Sequence, residues 1–354
     1  MATVSHEPYI GRDDKDESGL RRRPLASPPG PHATEASRWH VRRHHAILRD
    51  HPHVKRLFGV DRRTSWWVVV LAATQLALAF AVRGAPSWLI VAVALAVGAP
   101  ITHALGVLIH ECAHNLAFRT TWKNKVLAIV ANVPLGVPAA IEFRHQHLLH
   151  HRYLGDTREP EGGDTQAPMA REVRLTGRSA WRKLLSFTIG RFFYGARRSN
   201  KAPVDGWLVA NAIVCVATSL AVLLLLGPRA LAYVLLSPIL GFGPHPVGAR
   251  RLAEHITLRA GQPTSSYYGA ANLISFNVGH HVEHHDFPHV PWSRVALVRA
   301  EAREYYDMLA VVPSWTGLLF AHFFDHRRHV GQYVGLSEDY VETDSSERVA
   351  QVRA

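Results

Sequence analysis

The chain reads as an all-α integral membrane protein, with four transmembrane helices in two hairpins and a cytosolic helical cap that holds a histidine-rich two-metal site. Three observations predict this: four long uncharged stretches, a one-sided distribution of basic residues, and three dense histidine clusters on the basic side.

Residues 66–82, 87–109, 207–226 and 230–249 contain no Asp, Glu, Lys or Arg. At 1.5 Å of rise per residue, each is about long enough to cross a hydrocarbon core of roughly 30 Å. They are apolar all round, which favours membrane spans over the one-striped helices of a soluble bundle. The joints 83–86 and 227–229 are very short, so the stretches pair into two hairpins. Of the 40 Lys and Arg residues, only Arg83 and Arg229 fall in those joints. The positive-inside rule then places the N-terminus, the segment 110–206 and the region 250–354 in the cytoplasm. This predicts a multi-pass membrane protein with its active site on the cytoplasmic side. The membrane is the cytoplasmic one in a bacterium or the endoplasmic reticulum in a eukaryote.

The net charge is +12. No interleaved aromatic and basic motif accompanies it, so no nucleic-acid partner is expected. An anionic inner leaflet is the simpler counterpart. Residues 1–37, with Arg21-Arg22-Arg23-Pro24 and several prolines, read as a disordered tail, and no apolar h-region of a signal peptide follows. Residues 39–58 fit a short basic amphipathic helix. The stretch 126–141 is apolar but broken by Pro134, Gly136 and Pro138, which predicts a re-entrant or interfacial segment. Residues 155–168 form a Gly/Pro/acidic loop. Arginines interleave with Trp181, Phe187, Phe192, Phe193 and Tyr194 over 171–206, which suits an interfacial helical stretch. Residues 336–354 are a polar tail. Cys215 lies in an apolar span and Cys112 between two histidines on another helix face, so neither implies a disulfide framework or a zinc finger.

The chemistry lies in the histidines. HECAH carries His110 and His114, HLLHH carries His147, His150 and His151, and HVEHH carries His281, His284 and His285. On a helix, positions i, i+3 and i+4 share one face, so each cluster aims its imidazoles at one point. Neutral imidazole is the commonest metal ligand. Eight are too many for one ion of four to six ligands, which implies two metals. Solvated or core histidines would be costly beside such apolar segments. Nitrogen ligands suit zinc, copper, iron and nickel alike. HECAH also fits the H-E-x-x-H spacing of zinc peptidases, where the Glu is a base, but that reading leaves the other two clusters without a purpose. Glu111, Glu283 and Asn277 are candidates for orienting ring N–H groups, and Glu254 is another. His280 is expected to hydrogen-bond rather than ligate, and His103 to be a satisfied helix histidine. His245 and His289 carry no assigned role. Asp156 and Asp164 read equally well as loop or capping residues.

HECAHN, HLLHHRYLGD and NVGHHVEHHDFP resemble the three histidine boxes of membrane fatty-acid desaturases and hydroxylases. The run SSYYGAANLISFNVGHHVEHHDFPHVP, followed by EYYDML and SW, is similar to the sphingolipid delta-4, or dihydroceramide, desaturases. The resemblance covers residues 38–335 and implies one membrane desaturase domain with a di-iron centre. It implies a ninth ligand from HPVGARRLAEH, which maps to His255. It further implies O2 as co-substrate and electrons from a separate donor, such as cytochrome b5 or ferredoxin with its reductase. The substrate is then a membrane lipid, dihydroceramide or related, and the product has a trans double bond at carbon 4 of the sphingoid base. A sphingolipid C4-hydroxylase and a desaturase of other acyl lipids are alternatives on the same scaffold. A membrane metal-binding sensor or transporter is an alternative of another class, but transport predicts charged residues inside the spans. The chain departs from the family pattern in two places. The loop after His151 reads DTREPEGGDTQAP in place of a DxDxP-like run, and Arg250-Arg251 stands where His-Phe is usual. Both bear on head-group choice. The Met-Ala start lacks the myristoylation signal of some animal members, and the excess of Arg over Lys suggests a GC-rich genome.

Overall fold

Helix α1, Glu35–Asp50, comes first, where Thr34 Oγ1 accepts from Ser37 N at 3.1 Å and Arg49 sits in the last turn. Both ends thus suit the helix dipole. The computed structural model describes residues 34–157, 163–190 and 201–333. The expected tail residues 1–33 and 336–354, part of the acidic loop, and Phe192, Phe193 and Tyr194 lie outside the described residues. The amphipathic helix expected over 39–58 begins earlier and stops at Asp50, because Pro52 starts a separate 3-10 turn, Pro52–Leu57.

All regular structure among the described residues is helical, apart from two isolated bridges, Ile256 with Tyr333 and Ser266 with Val311. α2 spans Arg63–Ala81 and α3 spans Ser87–Ala113, with one π-turn at Ala94–Gly98. α4 is Thr121–Asn132 and α5 is Ala140–Tyr153. Two short helices follow, α6 at Ala170–Thr176 and α7 at Ala180–Leu185. α8 is Gly206–Leu226 and α9 is Pro228–Gly241. The remainder is short: α10 Arg250–His255, α11 His281–Asp286, α12 Val295–Glu301, α13 Arg303–Tyr306 and α14 Trp315–Phe324.

Three helices, α2, α3 and α8, are long and apolar enough to cross a membrane, and two bent pairs pass the same test together. Only 17% of the apolar window of α8 is buried inside the protein. Leu224 and Leu225 are 72% and 80% exposed, a surface that hydrocarbon solvates and water does not. The protein is a membrane protein on this evidence. The stretch 230–249 is not one straight helix. α9 ends at Gly241 and the chain resumes, bent by 42°, as a 3-10 turn and α10. Pro238, Pro244 and Pro246 remove backbone donors around the break.

α3 is the central helix and packs against α2, α4, α5 and α9. Its approach to α9 needs glycine on both sides. A Cβ on Gly98 would lie 2.3 Å from Ser237 Oγ, and one on Gly241 would lie 2.5 Å from the Ala99 carbonyl oxygen. The buried Gln75 side chain donates to Thr102 Oγ1 and accepts from Tyr233 OH, so α2, α3 and α9 share one polar contact.

The interrupted stretch 126–141 is a sharp elbow. α4, continued by a 3-10 turn to Leu135, meets α5 at 117°. Pro134, Pro138 and Gly136 at φ +72° leave amides without helical partners. Asn132 supplies them. Its Oδ1 accepts from Ala139 N at 2.8 Å and Ala140 N at 2.9 Å, and its Nδ2 donates to Val137 O at 2.8 Å. Asn211 of α8 donates to the same Oδ1 at 3.0 Å. Backbone polar groups buried away from water must be satisfied in this way. Asn132→Ala should therefore destabilise the protein by about 2 kcal/mol or more, read as a lowered thermal unfolding midpoint in detergent. An unchanged midpoint would mean that the prolines alone hold the elbow.

Candidate metal centre

Four elements deliver the histidines to one place. His110 lies in the last turn of α3 and His114 is its C-cap residue. α5 carries His147, His150 and His151 on one face. α10 ends at His255, and α11 carries His281, His284 and His285. All but His151 are buried.

The ligand atoms separate into two neighbouring sets. His110, His114, His147, His151 and His284 place one nitrogen each within 4.8 Å of one another. The second set combines His150, His255 and His285 with a Glu254, His255 and His281 group that shares His255. Within the first set, His147 Nε2 is 2.9 Å from His114 Nε2 and 3.0 Å from His151 Nε2. His151 Nε2 is also 3.1 Å from His284 Nε2. Within the second, His255 Nε2 is 3.0 Å from both His150 Nε2 and His281 Nε2. One ring nitrogen has a single in-plane site, so it cannot hydrogen-bond two other ring nitrogens at once. It can share an ion with them, because two nitrogens about 2.1 Å from one metal at a right angle lie roughly 3 Å apart. The rings of His151 and His285 stack at 4.1 Å and join the two sets.

The outward nitrogens of these rings are not all satisfied, so the protein supplies hydrogen-bond partners for only part of the array. His110 Nδ1, His114 Nδ1, His255 Nδ1 and His285 Nε2 are buried without a hydrogen-bond partner among the described residues. Burial pushes His281, His284 and His285 well below the ordinary imidazole range, and neighbouring imidazoles add to the effect. Each is a neutral nitrogen donor at pH 7, as metal ligation requires. The residues present therefore fit two metal ions.

Outer partners fix several rings. Asp164 Oδ1 lies 2.7 Å from His150 Nδ1, and Asp164 also accepts from Gly155 N at 2.7 Å and Tyr333 OH at 3.2 Å. Gln166 Nε2 lies 3.0 Å from His147 Nδ1. Glu254 Oε1 lies 3.4 Å from His281 Nδ1 and accepts from Arg250 Nη1 at 2.5 Å. Of these, no sequence motif marks Gln166, and Asp164 reads from the sequence as a loop or capping residue. The expected outer partners sit differently. Glu111 accepts from Trp292 N at 2.9 Å, with its other oxygen 3.8 Å from His110 Nδ1. Glu283 accepts from Ser266 Oγ and Tyr268 OH and is 3.4 Å from His280 Nδ1. Asn277 corrects the sequence expectation: its backbone is left-handed at φ +56°, and its side chain donates to the Trp292 carbonyl rather than to a box imidazole. His103 meets Ser275 Oγ at 3.4 Å, and His245 caps the turn at Val247 N. His289 accepts through its carbonyl from Gly59 N.

A cavity of about 490 Å³ opens beside both sets. His110, His147, His255 and His281 lie on its wall, with Ile109, Leu135, Phe143 and Phe242 on the apolar side and Gln146, Arg250 and Glu254 among its polar lining. That size suits a small-molecule site or part of a lipid chain.

Two adjacent imidazole sets beside a partly apolar cavity, in a bundle with helices long and apolar enough to cross a membrane, define a histidine-rich membrane protein with the ligand chemistry of a metal centre. Residues 86–317 match the fatty acid desaturase family. The chain belongs to that family, and it is an oxidoreductase of the desaturase type. It is 40% identical over 312 residues to a sphingolipid delta(4)-desaturase/C4-monooxygenase of Homo sapiens, which covers 85% of this chain and 92% of the relative. It is 39% identical over 291 residues to a sphingolipid delta(4)-desaturase of Drosophila melanogaster, covering 81% and 89%. A rice relative with the name sphingolipid delta(4)-desaturase is 36% identical over 289 residues, covering 81% and 86%.

Removing the carboxylate behind His150 should loosen the second set. Asp164→Ala is expected to weaken metal retention roughly 10- to 100-fold, measured by elemental analysis after dialysis against a graded chelator. His151→Ala and His284→Ala should lose metal outright while the protein still inserts in the membrane. His280→Ala should retain near-native metal, and a loss equal to that of His281→Ala would place His280 among the ligands.

Proposed function

We propose that the protein is an O2-dependent di-iron desaturase that introduces a trans double bond at carbon 4 of the sphingoid base of dihydroceramide-like lipids. Residues 38–335 form the desaturase domain. One observation carries the metal half of this reading: nine imidazoles gathered in two adjacent sets, four of them on the wall of a partly apolar cavity. The substrate half rests on the relatives, whose names specify the sphingolipid and carbon 4.

In this reading His110, His114, His147, His151 and His284 hold one iron, and His150, His255, His281 and His285 hold the other. Bound irons would supply the oxidising power drawn from O2 and two electrons for breaking unactivated C–H bonds. The balance is one CH2–CH2 unit, O2, two electrons and two protons to one CH=CH unit and two waters. The protein's own part is placement. The cavity wall of Ile109, Leu135, Phe143 and Phe242 holds an apolar chain against the imidazole sets, where displacement by about 1 Å is costly. Asp164, Gln166 and Glu254 keep the rings in plane, and burial keeps water from the reacting carbons. The electrons come from a separate donor such as cytochrome b5 or ferredoxin with its reductase.

In this reading two hairpins, α2 with α3 and α8 with bent α9, leave all three histidine clusters on the cytoplasmic face. The charge asymmetry supports this, since 38 of 40 basic residues lie outside the two joints. Accessibility tags at residues 20, 165 and 345 should report one face and a tag at 85 the other. A tag at 165 on the outer side would separate the histidine sets and break the model.

Purified protein should carry about two irons per chain. Given a dihydroceramide, O2 and a reductase system, lipid mass spectrometry should show a product two hydrogens lighter. The name of the human relative includes C4-monooxygenase, so a product heavier by one oxygen would favour hydroxylation at the same carbon. Double bonds confined to ordinary acyl chains would overturn the sphingolipid assignment. One zinc per chain, with activity that survives iron chelation, would overturn the di-iron assignment.

A further inference from the structure

We propose that Arg250 binds an uncharged acceptor oxygen of the lipid, the hydroxyl next to the reacting carbons, and so sets which lipids are placed for reaction. This rests on the sphingolipid reading of the same site. Arg250 begins α10, the short helix that ends at His255. Its side chain lines the cavity together with Gln146, Glu254 and the box residues His110, His147 and His281.

The guanidinium is only partly used by the protein. Nη1 donates to Glu254 Oε1, and the side chain is 16% exposed. Nε is buried with no hydrogen-bond partner among the described residues. A buried N–H donor without an acceptor is unfavourable, and a ligand oxygen in the cavity relieves it. Neighbouring Arg251 also lines the cavity, but no nitrogen of its guanidinium is among the buried atoms left without a partner. It donates to the Phe242 carbonyl at 3.3 Å, and its guanidinium lies 5.4 Å from the Phe187 ring centroid. Of the two, Arg250 carries the spare buried donor.

Charge selects the kind of oxygen. Glu254 already neutralises Arg250, so a phosphate in the cavity would bring an uncompensated charge into a desolvated site. A hydroxyl asks only for the donor. Position selects the carbon. Glu254, bound to Arg250, also lies 3.4 Å from Nδ1 of His281. A single carboxylate therefore separates the spare donor from a metal-ligand set, and an oxygen held there belongs within a few bonds of the reacting methylene. On a sphingoid base, the oxygen adjacent to carbon 4 is the carbon-3 hydroxyl.

The test is Arg250→Lys, which keeps a cation opposite Glu254 and removes Nε. Two lipids are compared, a dihydroceramide and its 3-deoxy analogue, with iron content measured in parallel. Native protein should prefer the hydroxylated lipid by roughly 10- to 100-fold in kcat/KM, the worth of a charge-assisted hydrogen bond. Arg250→Lys should keep its iron and lose most of that preference through a raised KM for the hydroxylated lipid. Full preference in an iron-replete variant overturns the proposal. Should the variant lose iron, binding of both lipids to metal-depleted native and variant protein decides, by tryptophan fluorescence, and equal preference overturns it. If native protein acts only on ordinary acyl lipids, the sphingolipid reading fails separately. The Arg250 assignment is then judged on the ester carbonyl of those lipids, and it falls if the variant handles them as native protein does.

Discussion

Nine imidazoles gather in two neighbouring sets, all but one of them buried, and each ring has two nitrogens that need somewhere to point. Burial without partners would be strongly unfavourable. The arrangement resolves this by dividing the labour within a ring. One nitrogen converges on its set, and the other, where the structure gives it a partner, meets Asp164, Gln166 or Glu254. The rest of the architecture follows from keeping that array neutral and still. The rings must be delivered from four elements to one point, and water must be kept out without polar groups that compete for the ions.

The apolar helices meet those demands as scaffold rather than as site. α3 runs through the middle of the bundle and ends in the first histidine cluster, so its depth and rotation set where His110 and His114 fall. The close approach at Gly98 and Gly241 fixes α9 against it, and the break after α9 turns α10 inward with His255 at its end. The elbow does the same for the second cluster. Asn132 absorbs the free amides of the bend, and α5 leaves it in a direction that lays His147, His150 and His151 against α3. Membrane anchoring and metal geometry are therefore one packing problem, solved by a few small or polar residues.

Much of this is legible in the sequence, because helical periodicity and histidine spacing act locally. The i, i+3, i+4 pattern alone aligns the second and third clusters, and Pro134, Gly136 and Pro138 mark the elbow. Three things are not local. His255 is a lone histidine in a six-residue helix, so no spacing marks it and only the family resemblance does. Asp164 and Gln166 sit in a loop without periodicity, and the chain path alone brings them to the α5 rings. Adjacency in sequence also misleads on a short helix. Glu283 lies between box histidines, yet it turns to Ser266 and Tyr268, while Asn277 turns to Trp292. The fourth uncharged stretch shows the converse. Its length reads as a span, while its prolines shorten the helix and convert the remainder into a support for His255.

The N-terminal helix has a further consequence, which concerns the order of events in time. His40, Arg43 and Tyr306 all bond the Asp286 carboxylate, and His40 and Asp286 are 246 residues apart in the chain. Both imidazole sets also draw on the last cluster, through His284 in one and His281 and His285 in the other. During vectorial synthesis neither cage can close until four-fifths of the polypeptide has left the ribosome, and α1 must wait just as long for its anchor. The half-made protein thus offers incomplete coordination spheres, which hold metal poorly. The apolar helices, by contrast, lie mostly ahead of the last cluster in the chain and can pack before either set is complete. The pairing of α1 with α11, the most distant in sequence of these contacts, is therefore among the last that the chain can form.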